Sequence, residues 1–200
     1  MVKSIFTTEE ETRRKGIVTT SLAIVDEYGI KGLTVARIAR EVGFAESALY
    51  RHFKSKKEII LFILNEANLL AKNQFQEIRD SSENPLKQIK LLLKKHLEFL
   101  QEFPGIFPII YSDEIHIGET FLLEKLEILI NELTGFIKEI IENGKASKRI
   151  KQDVDAALAA IHILGIIQTA FSYWTIKKRK ISLIEIGDKL LSQLFSGITI

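Results

Sequence analysis

Residues 32–58 read GLTVARIAREVGFAESALYRHFKSKKE, and their spacing predicts two short helices joined by a glycine turn. In the first helix, apolar side chains recur three and four residues apart, which places them on one helical face. They are Val35, Ile38, Ala39 and Val42. Thr34 precedes this helix where an N-cap hydroxyl would accept a backbone hydrogen bond, and Gly43 follows it where a left-handed turn is needed.

The second helix is short and separates its side chains into two faces. Its inward stripe comprises Ala45, Ala48, Leu49 and Phe53. Its outward face comprises Glu46, Ser47, Tyr50, Arg51 and Lys54. A helix of about two turns with hydrogen-bonding side chains outside is typical of a recognition helix in the DNA major groove. The stretch therefore predicts a helix-turn-helix DNA-binding protein.

Charge is concentrated in the same stretch. The 200 residues carry a formal net charge of only +2, but residues 31–57 hold seven basic residues against two acidic ones. That segment is therefore +5, and the rest of the chain sums to −3. A local basic surface on a nearly neutral protein favours a polyanionic partner, although a solvated basic face would have the same composition.

Composition predicts an all-α protein, and the helical segments described below number about nine. Hydrophobic residues make up 46% of the chain, prolines number three, and strand-like alternation does not persist. Cysteine is absent, which excludes disulfides and thiolate metal sites. The polar N-terminus shows no signal-peptide pattern, so we expect a cytoplasmic protein.

The remaining helices follow from caps, breakers and apolar periodicity. We expect the first helix to end near Tyr28, where Gly29 and Gly32 break it, and a long helix to start at the Ser55 capping box. Further helices are predicted at 85–102, 106–115, 119–143, 154–176 and 182–197. This arrangement predicts a DNA-binding domain at 1–54 and a second helical domain at 55–200.

The extended pattern resembles the TetR family of bacterial transcriptional regulators over about residues 8–64. The matching segments are Gly32-Leu33-Thr34-Val35, Ile38-Ala39, Val42-Gly43, Leu49-Tyr50-Arg51-His52-Phe53 and Ser55-Lys56. The resemblance implies an N-terminal three-helix DNA-binding domain followed by a helical domain that binds a small ligand and forms a homodimer. It also implies a repressor that binds a near-palindromic DNA operator.

The resemblance implies roles for individual positions in DNA binding. They are Thr34, Arg37, Glu46, Ser47, Ala48, Tyr50, Arg51, His52, Lys54 and Lys56. Thr34, Tyr50, His52 and Lys56 would contact phosphates. Arg51 could pair with guanine or grip a phosphate, and Glu46 could accept from cytosine or repel phosphate. Ala45 stands where Ser or Thr often caps the recognition helix.

Residues 156–176 carry no formal charge and precede Lys177-Lys178-Arg179-Lys180. The run could be a membrane span with a positive flank, but a helix that is apolar all round can also be buried in a protein assembly. We favour the assembly and expect no membrane contact, because the resembled family dimerises through its last two helices. The expected interface comprises Leu158, Ile161, Gly165, Leu183, Ile186, Leu190 and Leu194.

The second domain is expected to enclose an apolar pocket for a hydrophobic effector, such as an acyl compound or a drug. Its candidate lining comprises Phe99, Phe103, Phe107, Tyr111, Leu122, Leu126, His162, Ile166 and Tyr173, any of which could instead be core. Asp113, Glu114 and His116 lie close together but lack a second histidine, so no metal site is expected.

Other functions remain open from the sequence. A protein of this fold could respond to a protein partner rather than a ligand, as nucleoid-occlusion factors do. An enzyme is not expected, because the chain shows no glycine-rich phosphate loop, metal-ligand cluster or paired nucleophile and base. We therefore expect no catalytic residue and no cofactor.

Overall fold

The computed structural model describes residues 9–81, 84–118 and 120–200. These residues form nine α-helices and one π-helical turn, with no β-strand among them, which confirms the predicted all-α fold. The helices are α1 (Glu9–Gly32), α2 (Val35–Val42), α3 (Glu46–His52), α4 (Lys56–Ser81), α5 (Pro85–Glu102), α6 (Ile106–Ile110), α7 (Thr120–Ala146), α8 (Ala156–Ile176) and α9 (Leu183–Ile198). The π-helical turn is Glu114–Gly118.

The turn between α2 and α3 forms as the sequence predicts. The Thr34 hydroxyl accepts a hydrogen bond from the Arg37 backbone N–H at 3.2 Å, which caps α2. Gly43 ends the helix with φ 78°, a left-handed conformation that favours glycine. The Phe44 N–H then donates to the Ala39 carbonyl at 2.8 Å, so local hydrogen bonds fix the direction in which α3 leaves.

The chain divides into two compact units, and the first contains the helix-turn-helix. It comprises the described residues up to Ala67 together with Phe103–Leu126. Its core includes fully buried Ile38, Leu49 and Ile59. α6 packs against α1 so closely that a side chain at Gly105 would collide with the Leu22 carbonyl. The segment after α5 is therefore fixed against the first helix.

The second unit comprises Asn68–Glu102 and Glu127–Ile200. α5 packs against α8 and α9 around buried leucine and isoleucine side chains. α4 is joined to α7 by Arg79, whose guanidinium donates to both carboxylate oxygens of Glu139 at 3.0 and 2.8 Å and lies over the Phe136 ring. The predicted domain boundary after Lys54 separates a DNA-binding domain from the rest of the chain. This functional boundary stays a prediction.

Some helix boundaries differ from the sequence prediction. α1 has a kink at Gly29, with φ 69°, but helical hydrogen bonding resumes and continues to Gly32. α7 passes through Gly144 to Ala146, and Gly144 is buried against the Ile150 side chain. The predicted start of α7 at Glu119 lies outside the described residues. The segment 106–115 is split, with α6 ending at Ile110 and the π-helical turn beginning at Glu114.

Among the described residues, α8 is the one helix long and apolar enough to cross a membrane. Within its most apolar window, 44% of the residues are buried in the protein. Length and composition alone are weak grounds for a membrane span, because the core helix of a soluble protein meets the same test.

Candidate nucleic-acid interface

The outward face of α3 is polar and open to solvent. Glu46, Ser47, Tyr50 and Arg51 are exposed, and Lys54 is exposed just beyond the helix. On the opposite face, Leu49 and Phe53 are buried almost completely. Ala48 is half-buried between the two faces. The helix is therefore anchored by its apolar side chains while its hydrogen-bonding side chains remain available to a partner.

The N-terminus of α3 lacks a side-chain cap. Ala45 occupies the N-cap position, is exposed, and makes no side-chain hydrogen bond. Glu46 places a negative charge in the first turn of α3, where it interacts favourably with the helix dipole.

Arg37 is held at the end of α1. Its guanidinium lies 4.1 Å from the centroid of the Tyr28 ring, a cation–π contact. Its Nη1 also approaches the Gly32 carbonyl at 3.5 Å. The Arg37 guanidinium is therefore already engaged at the end of α1, while its backbone N–H donates to the Thr34 hydroxyl.

His52 is set back from the polar face of α3. It is half-buried, its ring stacks on Phe44 at 6.3 Å, and its Nδ1 is buried with no hydrogen-bond partner in the described structure. Its backbone carbonyl accepts from Arg14 at 3.3 Å. A phosphate contact of His52 would therefore have to use Nε2, or the His52 side chain would first have to adopt another rotamer.

Arg14 is a residue that sequence reasoning did not single out. Its guanidinium lies 4.6 Å from the centroids of both Phe53 and Phe62. It thus connects α1 to the end of α3 and to α4, which positions the recognition helix. Its contacts come from residues 38 to 48 positions away, so no local pattern could have indicated them.

Two hydrogen bonds at the start of α4 resemble the predicted capping box, except that the reciprocal bond is made to the Lys54 N–H rather than to that of Ser55. The Ser55 hydroxyl accepts from the Glu58 N–H at 3.3 Å, and the Glu58 carboxylate accepts from the Lys54 N–H at 2.8 Å. Lys56, the first residue of α4, turns inward. Its Nζ donates to the Ile30 carbonyl at 2.9 Å and to Glu114 at 2.7 Å.

Burial and the Lys56 contact shift the pKa of Glu114 in opposite directions. Burial acts to raise the pKa of its carboxyl group, but the hydrogen bond and charge of Lys56, with a backbone hydrogen bond, outweigh it. The net pKa is below its ordinary value. His116, two residues on, has its Nε2 2.9 Å from the Ile110 carbonyl. In the described parts of the chain, no group of three or more His, Cys, Asp or Glu side chains could hold a metal ion.

The candidate pocket residues fall in both units and differ in burial. In the first unit, Leu122 and Leu126 are buried, Phe103 and Phe107 are half-buried, and Tyr111 is exposed. The rings of Phe107 and Tyr111 lie 4.7 Å apart.

In the second unit, Phe99 and Ile166 are half-buried, while His162 and Tyr173 are exposed on α8. Their role in binding a ligand stays a prediction.

The candidate dimer residues also separate. Leu158 and Ile161 are each 56% exposed on α8, and Gly165 on the same face has open space where a side chain would stand. On α9, Leu183 is completely buried. Ile186, Leu190 and Leu194 are half-buried. The outward apolar face therefore belongs mainly to α8.

Two short helices joined at a left-handed glycine, with an exposed polar face on the second, define a helix-turn-helix regulatory protein. The profile of the tetR family of bacterial regulatory proteins matches residues 17–62, and that of the C-terminal region of YsiA-like proteins matches residues 62–197. The chain therefore belongs to the TetR family and is a DNA-binding transcriptional regulator.

Three relatives illustrate this membership. The fatty acid metabolism regulator protein of Bacillus subtilis (strain 168) is 23% identical over 182 residues, which is 91% of this chain and 93% of that protein. The crystal structure of the regulator FadR from Bacillus subtilis in complex with stearoyl-CoA has a TM-score of 0.78 at 21% identity, covering 92% and 98% of the two chains. The nucleoid occlusion factor SlmA of Aliivibrio fischeri (strain MJ11) is 25% identical over 143 residues, covering 72% and 73%.

Proposed function

We propose that the protein represses transcription by binding an operator through the polar face of α3. The observation that carries this proposal is the exposure of Glu46, Ser47, Tyr50 and Arg51 opposite the buried Leu49. Arg51 is the strongest candidate for reading a base, because a guanidinium can donate two hydrogen bonds to guanine. Thr34, Arg37, Lys54 and the half-buried Ala48 and His52 would complete the contact surface.

The operator is proposed to be nearly palindromic and to be bound by a homodimer. A two-fold dimer presents two copies of α3 to successive major grooves, so the two half-sites mirror each other. The exposed apolar side chains of Leu158 and Ile161 support dimerisation through α8. The half-buried leucines of α9 would contribute at its margin.

The effector is proposed to be a long-chain acyl-CoA. The support is the likeness to the Bacillus subtilis fatty acid metabolism regulator and to the FadR structure with stearoyl-CoA. An apolar chain suits the aromatic and aliphatic candidates for the pocket. The effector releases DNA only to the extent that it binds the released conformation more tightly than the DNA-bound one.

Selection of duplexes from a random pool tests this function. The full-length protein should enrich a near-palindromic duplex, and fluorescence anisotropy should show that Arg51→Ala weakens binding to it. Arg149→Ala, which removes an exposed arginine from the second unit, is the matched control and should bind normally. Added stearoyl-CoA should release the duplex; failure to enrich any duplex would refute the proposal.

A second candidate is control by a protein partner, which the likeness to the nucleoid occlusion factor SlmA favours. In that case stearoyl-CoA would leave DNA binding unchanged and would not raise the melting temperature. Either form of control describes a regulator that acts on bacterial DNA in the cytoplasm without catalysing a reaction.

A further inference from the structure

The Lys56 ammonium joins three segments of the first unit. It extends from the first residue of α4, donates to the Ile30 carbonyl near the end of α1, and pairs with Glu114 in the π-helical turn. The distances are 2.9 Å and 2.7 Å, and Glu114 is 58 residues away in sequence. The pair is thus a tertiary contact rather than a local one.

The ion pair between Lys56 and Glu114 is partly buried but remains accessible to solvent. The Lys56 side chain is 26% exposed and that of Glu114 is 32% exposed. An ammonium has three N–H donors, and two of them are used here. A phosphate oxygen can therefore approach Lys56, but it meets a cation that a carboxylate already neutralises at hydrogen-bond distance.

We propose that Glu114 competes with DNA phosphate for Lys56 and so lowers the affinity of the protein for its operator. This inference rests on the proposed operator binding and on the phosphate contact that the family resemblance implies for Lys56. Glu114 lies outside the helix-turn-helix, between α6 and α7. A residue outside the DNA-binding motif would therefore adjust the affinity for the operator through its contact with Lys56.

The contact would otherwise be only a structural link, and the two roles predict opposite effects. A structural link would hold α4 in the DNA-binding position, so its loss would weaken binding. A competing carboxylate withholds charge from DNA, so its loss would strengthen binding. The sign of the change in affinity therefore separates them.

The experiment measures operator binding by full-length Glu114→Gln, using the duplex that the wild-type protein selects from a random pool. We expect about fivefold tighter binding per DNA-binding unit, the change that corresponds to one partly exposed ion pair. Asp113→Asn makes the same change in net charge one residue away and should leave affinity unchanged. In a Lys56→Ala background, Glu114→Gln should have no effect, because its target is gone.

Weaker or unchanged binding by Glu114→Gln would overturn the proposal, as would an equal gain in the Lys56→Ala background. Thermal unfolding checks that each variant folds. If Glu114→Gln is unfolded at the assay temperature, Glu114→Asp provides the same test, because its shorter side chain lengthens the contact with Lys56. Failure of the proposed function is distinct, since the wild-type protein would then select no duplex at all.

Discussion

Ile161 gives the sharpest test of the proposed dimer. Its side chain is 56% exposed in the single chain, on the same face of α8 as Leu158. Covering a whole isoleucine side chain contributes about 1.5–3 kcal/mol, so covering the exposed half would contribute about 1 kcal/mol. Ile161→Ala removes most of that contribution.

Two-fold symmetry doubles the effect, because each dimer contains two copies of the substitution. The expected loss is therefore about 2 kcal/mol, which corresponds to a dimer dissociation constant about 30-fold higher. Sedimentation velocity over a dilution series measures this constant directly. Circular dichroism of the variant should show the helix content of the wild-type protein.

Ile117→Ala is the matched control. Ile117 is 80% exposed in the π-helical turn, so the substitution removes the same atoms from a surface outside the proposed interface. It should leave the dimer constant unchanged. The reasoning would be refuted if Ile161→Ala dimerised as tightly as the wild-type protein, or if Ile117→Ala weakened the dimer equally.

Three further substitutions have defined expectations. Arg51→Lys keeps the positive charge but loses the paired N–H donors of the guanidinium. Its selectivity for the selected duplex over a scrambled duplex, measured by fluorescence anisotropy, should therefore be about tenfold lower than that of the wild-type protein. Unchanged selectivity would show that Arg51 contacts a phosphate rather than a base. Burial lowers the pKa of His96 from 6.5 to about 4, so the unfolded chain gains a proton first as pH falls. From pH 7 to 4.5, urea unfolding should show wild type losing about 2 kcal/mol more stability than His96→Gln; equal losses would contradict this. Gly43→Ala should lower the free energy of unfolding, measured in urea, by about 1 kcal/mol, because Gly43 has a positive φ. Gly135→Ala, which has open space around it, should not lower this free energy. An unchanged stability of Gly43→Ala would show that the turn tolerates a side chain.

The sequence alone was sufficient for the helix-turn-helix. The hydrogen bonds at the caps and the turn join residues no more than five positions apart, so the local sequence is enough to predict them. They involve Thr34, Gly43 and Ser55. Helical periodicity also predicts the buried Leu49 and Phe53 and the exposed polar face of α3, but Ala45, which was predicted on the inward stripe, is exposed at the N-cap, and Ala48 is half-buried. The sequence also carried the family assignment, because the motif is local and extended.

Only the tertiary structure decided which partners distant residues take. Lys56 was predicted to face a phosphate, but its ammonium lies against Glu114, a contact that no spacing rule encodes. α8 is apolar all round, so its composition could not tell that Leu158 faces outward, nor could the α9 stripe show that Leu183 is buried. Periodicity defines the faces of a helix, but which face is covered depends on the neighbouring helices that pack against it.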